Sequence, residues 1–349
     1  MGYPVEFLSE SQIRSRFGSS GITSYVLDDS FHKALISDDT QMTLFTANGI
    51  LFGATRGHLR GVGAAPSFYV SLAYHDWLWT QEHAFGEKPE RQTSWLLDVP
   101  ELYSRRAPGM TCLSAMKSRK WADADRFIDP QINDSKGCGG VMRVAPIGLL
   151  PITRPAYEAA EVAAITHGHP LGYLTAAVLA QIIHLITFDG YCLEDAIYGA
   201  YDDVSDAFRG NVYLGELFEK LNQAVRFAGN DRPDYENIRN LGEGWVAEET
   251  LAIAVYCSLR YKGSFSDGVI AAVNHSGDSD STGSVTGNIL GACLGYEAIE
   301  DKWKKDLELS DVILEIADDM ANENPFIDDF SCQQDWEKKY VRCEWTGRT

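Results

Sequence analysis

An all-α fold is what this sequence predicts, and three observations predict it. Apolar residues recur at three and four positions through most of the chain, sustained alternation of period two is scarce, and short polar clusters stand before several apolar runs. The first forty residues are mixed and turn-rich. Gln41–Phe52 then reads as a helix opened by Ser37-Asp38-Asp39-Thr40, whose short side chains can accept the free N–H groups of a first turn. From Gly57 to Pro130 the sequence is irregular and carries several Trp and Pro residues; Tyr69–Thr80 is its one helix, and loops over the surface are expected around it. After the run Lys136-Gly137-Cys138-Gly139-Gly140, helical periodicity dominates, over Ala156–Thr166, Gly172–Thr187, Leu193–Phe208, Leu214–Phe227, Glu248–Tyr261, Ser266–His275 and Ser284–Ile299.

The charged segment Asn230–Asn240 reads as a candidate insertion or boundary, but no shift in composition is large enough to cut the chain there, so one domain over residues 1–349 is expected. Gly283, Gly287, Gly291 and Gly295 repeat every fourth residue along one helical stripe. Glycine inside a helix costs roughly 1 kcal/mol relative to alanine, so the stripe predicts close approach of a neighbouring helix.

Fifty acidic residues against thirty basic ones give a formal net charge of −20. Such a field repels phosphate backbones and anionic membranes, which argues against nucleic-acid and membrane partners; it also favours cations, although acidity for solubility alone is common. The seven cysteines are scattered and odd in number, with no Cys-x-x-Cys pair. Reduced thiols in a cytosol fit best. No run is apolar enough for a membrane span, since even Leu171–Phe188 carries Gln181 and His184, and the chain does not open on a signal peptide, so a cytoplasmic protein is expected.

The sharpest local signal is Gly277-Asp278-Ser279-Asp280-Ser281-Thr282-Gly283, where two carboxylates and three hydroxyls precede the glycine-striped helix. Hard cations take this ligand set; Asp and Ser are also the preferred N-caps, so a plain helix start remains open. A calcium-binding hand loop fails at its twelfth position, Ile289, where a bidentate Glu is required. The early pair Asp38-Asp39 repel one another unless a cation or hydrogen bonds offset them, and the two clusters together supply four Asp and several hydroxyls. Two Mg²⁺-like ions with water completing their shells suit such ligands. In the third signal, Ser135-Lys136-Gly137-Cys138-Gly139-Gly140-Val141-Met142-Arg143, small residues let backbone N–H groups approach an anion such as a diphosphate, although a Gly-rich turn with no ligand is commoner. His167 and His169 stand at a helix junction without Cys or acidic neighbours, so structural or phosphate-contacting roles fit better than zinc.

Taken in order, Ser-Asp-Asp-Thr early, Gly-Cys-Gly-Gly-Val-Met-Arg centrally and Gly-Asp-Ser-Asp-Ser-Thr-Gly late, the sequence resembles the ADP-ribosylglycohydrolase family. The resemblance extends through His167, Gly242-Glu243-Gly244-Trp245-Val246-Ala247-Glu248-Glu249 and Ala272-Val273-Asn274-His275, over roughly residues 2 to 300. It implies a compact, orthogonal multi-helix bundle with a binuclear Mg²⁺ or Mn²⁺ cleft. The metal ligands it implies are Ser37, Asp38, Asp39, Asp278, Asp280 and Ser281, with Asp280 bridging. It places the ADP-ribose phosphates against Ser135, Gly137, Cys138, Gly139, Gly140 and His167, sets Trp245 at the border of the nucleotide cleft, and puts Glu6 beside the metals. Catalytic roles then fall to Glu6, Asp39 and Asp280. Two departures stand out: relatives usually carry a further helical stretch before the segment that begins here with Met1-Gly2, so a shortened first helix is expected, and Cys138 stands where some relatives have Asn. The Ser37-Asp38-Asp39 and Asp-Ser-Asp-Ser forms look closer to arginine-directed members than to serine-directed ones. The implied activity is hydrolysis of ADP-ribosyl-arginine on a modified protein, and the implied partners are that ADP-ribosylated protein and an ADP-ribosylating toxin or its target. The alternative is a non-catalytic ADP-ribose-binding or toxin-neutralising protein on the same scaffold.

Overall fold

The computed structural model describes residues 1–345 apart from 123, 125, 323 and 327–329, and residues 346–349 of the expected domain lie outside them. The order of α-helices is α1 (Glu10–Phe17), α2 (Asp38–Arg60), α3 (Pro66–Glu82), α4 (Met110–Ser118), α5 (Ala145–Gly148), α6 (Pro155–Ala164), α7 (Pro170–Thr187) and α8 (Leu193–Ala207), then α9 (Leu214–Ala228), α10 (Asp234–Leu241), α11 (Ala247–Arg260), α12 (Phe265–Val273), α13 (Ser279–Leu294), α14 (Asp301–Lys304), α15 (Ser310–Ala321) and α16 (Gln334–Tyr340). Among the described residues there is no strand, only isolated bridges at Ala34–Leu307 and Gly137–Val246. The all-α expectation is met.

α7 organises the bundle. Its side chains from Leu171 to Ile183 are buried almost all round, the pattern of a helix at the centre of a large core rather than on its surface. α6, α8, α11 and α13 pack on it, while α2 pairs with α3 and α12 with α13. α7 is also the one described helix long and apolar enough to cross a membrane, and 78% of that window is buried inside the protein. One continuous apolar core runs from Ile36 to Cys343.

Two expectations need correction. The stretch from Gly57 to Pro130 contains the expected helix, as α3, but around it is not a set of surface loops: α2 continues to Arg60, α4 follows, and Trp77, Trp95, Leu102, Met116 and Phe127 are fully buried. Large aromatics fill the space between α2, α3 and the short turns, so burial rather than periodicity orders this region. Most of the charged segment Asn230–Asn240 is taken up by α10, which buries Ile238 and Leu241 in the common core. The glycine stripe is only half a contact. A Cβ on Gly283 would lie 2.6 Å from Val273 Cγ1, but at Gly287 the nearest atom is Phe265 Cζ at 3.9 Å, Gly291 meets nothing, and Gly295 ends α13 with φ +77°. Gly283 and Gly287 border a largely apolar cavity of about 460 Å³ between α12, α13 and α15, which extends to Asp280 and the start of α2.

Candidate metal centre

The two polar clusters meet. α2 and α13 point their N-terminal ends at one another, so the partial positive charge of both helices faces the same spot and offsets part of the carboxylate repulsion there. Ligand oxygens of Asp38, Asp39 and Asp280 lie within 4.8 Å of one another, and so do those of Glu6, Asp278 and Asp280. Asp280 belongs to both groups. Ser281 Oγ donates to Asp39 Oδ1 at 3.5 Å across 242 residues of sequence. Ser37 stands buried at the N-cap of α2, yet its side chain caps nothing.

The helix-cap reading and the metal reading divide between two residues. Asp278 is the cap of α13, accepting from Ser281 N at 3.2 Å, and it also accepts from Cys138 Sγ at 2.7 Å. Asp280 sits inside the helix and caps nothing. Its Oδ1, together with Asp39 Oδ2 and Glu6 Oε2, is buried without a hydrogen-bond partner. Unpartnered buried carboxylate oxygens are costly, and their residues fall in two clusters that share Asp280, an arrangement that fits divalent cations with oxygen ligands.

Electrostatics follows from this crowding. Burial, then the charges of Asp280, Asp278 and Asp38, push Glu6 up to about 9. Asp38 rises to about 7, through burial and Asp280, while the Gly109 N–H bonded to its Oδ2 at 3.1 Å pulls the other way. Asp39 and Asp278 are raised well above the usual carboxylate range by burial and then by Asp280. Without cations the centre therefore holds protons at neutral pH.

The segment before α2 is fixed by partners that no local sequence pattern announced. Asp38 N donates to Arg106 O at 3.0 Å, and Ile36 N donates to Glu308 Oε2 at 3.0 Å. Arg106 Nη2 pairs with Glu308 Oε1 at 2.5 Å, with both side chains largely buried. Residues from three distant parts of the chain thus clamp the ligand-bearing turn.

The glycine-rich loop runs antiparallel to Trp245–Ala247. Cys138 N donates to Trp245 O at 3.2 Å and Ala247 N to Lys136 O at 2.9 Å, while Lys136 pairs with buried Glu248. Gly137 N turns to Ser135 Oγ at 3.4 Å, so the Gly137 and Cys138 donors are already engaged. His167 lies buried beneath the loop. A Cβ on Gly139 would come 2.8 Å from its Cε1 and 3.0 Å from Cys112 Sγ, which is why only glycine fits there. Buried Arg143 donates to Thr166 Oγ1 at 2.6 Å, and Thr166 Oγ1 lies 2.8 Å from His167 Nδ1. The threonine proton is then directed at Nδ1, leaving Nε2–H as the donor toward the loop. Burial and Arg143 lower His167 to about 3, so this ring is a neutral donor throughout the physiological range. Cys138 turns its thiol away from the loop and toward Asp278. At the mouth Trp245, 39% exposed, stacks on Phe7 with centroids 5.8 Å apart; the residue beside Glu6 is an aromatic partner the sequence reading did not single out.

Comparison with known proteins bears on the family and the fold. A family model described as ADP-ribosylglycohydrolase matches residues 1–327. The mouse protein named ADP-ribosylhydrolase ARH3 (Mus musculus) is 27% identical over 197 residues, 50% of this chain and 53% of the relative; the chain thus spans about half the length of that curated protein. An uncharacterized protein of Archaeoglobus fulgidus is 27% identical over 328 residues, 91% of this chain and 90% of its own. Among solved structures, one titled ADP-ribosylglycohydrolase-related protein complex superposes with a TM-score of 0.51 at 23% identity, covering 80% of this chain and 79% of that one, a likeness of fold.

Proposed function

The chain belongs to the ADP-ribosylglycohydrolase family, and from that premise we propose that it is a metal-dependent hydrolase that cleaves the N-glycosidic bond between ADP-ribose and an arginine side chain. The observation that carries the reading is the convergence of Asp38, Asp39, Asp278, Asp280 and Glu6 from opposite ends of the sequence, with three buried oxygens left unpartnered. Asp38, Asp39, Asp278 and Asp280, with Ser37 and Ser281, would hold two divalent cations, Mg²⁺ or Mn²⁺, whose chemistry is to bind the ribose hydroxyls and polarise water.

The remaining steps belong to the protein. The carboxylate cluster stabilises the positive charge that develops on the anomeric carbon as its bond to nitrogen lengthens. Glu6, with Oε2 free of protein partners, takes a proton from the attacking water and returns it to the departing guanidine nitrogen, so that one C–O bond forms as one C–N bond breaks. Neutral His167 and the Ser135–Gly140 loop orient the diphosphate, and Trp245 stacked on Phe7 offers an aromatic face at the cleft mouth. The serine in Ser37-Asp38-Asp39 supports an arginine linkage, and seven free cysteines support a reducing, cytoplasmic setting.

The test is incubation with ADP-ribosyl-arginine and ADP-ribosyl-serine peptides in Mg²⁺, Mn²⁺ or chelator. Release of ADP-ribose from the arginine peptide in Mg²⁺ or Mn²⁺, abolished by chelator, is expected. Turnover of the serine peptide alone overturns the linkage, and tight binding without turnover of either overturns the activity in favour of a binding protein, including one that neutralises a toxin.

A further inference from the structure

Hydrolysis as described above leaves a buried charge without a use. Arg143 is fully buried, and the partners of its guanidinium are neutral: Thr166 Oγ1 at 2.6 Å, Val162 O at 3.4 Å, the sulfurs of Met42 and Cys112 at 3.4 Å each, and the face of Tyr74, whose centroid lies 4.5 Å from Cζ, while Nε has no partner. A guanidinium held in the interior without a carboxylate is costly. What it does is legible one residue further on. An arginine can only donate, so Thr166 Oγ1 accepts from Nη2, and its own proton is free for His167 Nδ1, 2.8 Å away. The ring proton then sits on Nε2. Gly137 and Gly139 stand over that nitrogen: a Cβ on them would come within 3.3 and 3.2 Å of Nε2 respectively. Neither glycine has a positive φ, so the missing side chains leave space above Nε2 rather than permit an unusual backbone.

We propose that Arg143 and Thr166 are positioning residues for the diphosphate of the substrate: acting through His167, they fix the tautomer whose Nε2–H reaches a phosphate oxygen through the gap between the glycines. The Gly137 and Cys138 N–H groups are turned to Ser135 Oγ and Trp245 O, so the loop needs a donor from below. Burial and the Arg143 charge both keep the ring neutral. His167 therefore supplies direction and a single proton, while the positive charge stays one side chain further back, in Arg143, where water does not screen it. The inference rests on the reading of Ser135–Gly140 as the diphosphate seat and deepens it, by naming what aims the side-chain donor of that seat.

The full chain carrying ¹⁵N-labelled histidine tests this. Long-range ¹H–¹⁵N correlation reads which His167 nitrogen holds the proton, with the His167 signals identified by their absence from His167→Gln, and calorimetry reads the affinity for ADP-ribose. Circular dichroism confirms that each variant is folded. In wild type and in Thr166→Ser the proton is expected on Nε2. In Thr166→Val and Arg143→Met it should distribute between the two nitrogens, and ADP-ribose affinity should fall about tenfold or more, the worth of one hydrogen bond to a charged group, while Thr166→Ser keeps both properties of wild type. A threonine that merely filled space would give way to valine with no change of tautomer. A wild type that binds ADP-ribose with its proton on Nδ1, or a Thr166→Val variant with wild-type tautomer and affinity, overturns the proposal and leaves the diphosphate seat standing. A wild type that binds no ADP-ribose removes the seat and the proposal together. Should Arg143→Met unfold, Thr166→Val against Thr166→Ser carries the test alone.

Discussion

At position 280 a carboxylate and its amide differ by one charge, and that charge separates a ligand from a helix residue of no special use. Because Asp278 already caps α13, Asp280→Asn removes no cap. The variant should keep its helical content, and in chelator it should be slightly more stable than wild type, since Asp280 is a source of repulsion for Glu6, Asp38, Asp39 and Asp278. Its affinity for divalent cations should fall by more than the roughly 10–100-fold that loss of a supporting partner costs, and hydrolysis with it. Calorimetry and turnover across a metal titration check both; wild-type affinity would leave Asp280 without a role. A second prediction concerns pH. Glu6 and Asp38 are raised from ordinary values of 4.5 and 3.8 to about 9 and about 7, so between these limits the folded, metal-free protein holds protons that the unfolded chain has released. That stabilisation is complete below about pH 4 and is lost as pH climbs through 7 and then 9, so the melting temperature in chelator should decline across this window. Saturating Mg²⁺ should flatten the decline, because the cation takes the place of the protons.

Elements carry a different lesson, about which signals survive burial. α6 to α9 and α11 to α13 were legible because their apolar residues repeat at helical spacing. α1 was legible too and was missed: Ser9 and Gln12 form a capping box, with Gln12 Oε1 accepting from Ser9 N at 2.8 Å and Ser9 Oγ from Gln12 N at 3.3 Å. α3 was legible in part, as Tyr69–Thr80, and its full span to Pro66 and Glu82 was obscured because Trp, Tyr and small residues share its faces, and a helix buried on most sides has little periodicity to show; α4, with only Cys112, Leu113, Ala115 and Met116 buried, is too short to show a repeat. The glycine stripe misled for the opposite reason, since spacing reports a shared face but not what that face meets. Two substitutions in α13 should consequently part company. Gly283→Ala pushes a methyl against Val273 and should cost about 1–3 kcal/mol, whereas Gly287→Ala has room and should gain up to about 1 kcal/mol from helix propensity. Chemical denaturation midpoints decide; equal shifts would mean that α12 and α13 are not packed as described.

For the molecule as a whole, the ligands were legible as motifs but their meeting was not, because nothing in Asp38-Asp39 or Asp278-Ser279-Asp280 states that residues so far apart come together. Still less legible were Arg106 and Glu308, which lie in no motif and act through backbone groups of Ile36 and Asp38. Glu308→Ala should leave the Arg106 guanidinium buried and unpaired and cost about 3–5 kcal/mol, while weakening cation binding through the loosened start of α2; thermal melts and calorimetry on one variant report both. The bond from Ser281 to Asp39 closes 242 residues of chain. A cation bridging those ends is a clasp, and a clasp can be fastened only when the garment is already closed. Bringing ends so distant together costs about 5 kcal/mol of loop entropy by itself, so capture of the ion belongs to the last act of folding, after α2 and α13 have docked on α7. In rapid-mixing refolding, the helical signal should return before the metal-binding signal, and adding cation should slow unfolding while leaving the early folding rate unchanged.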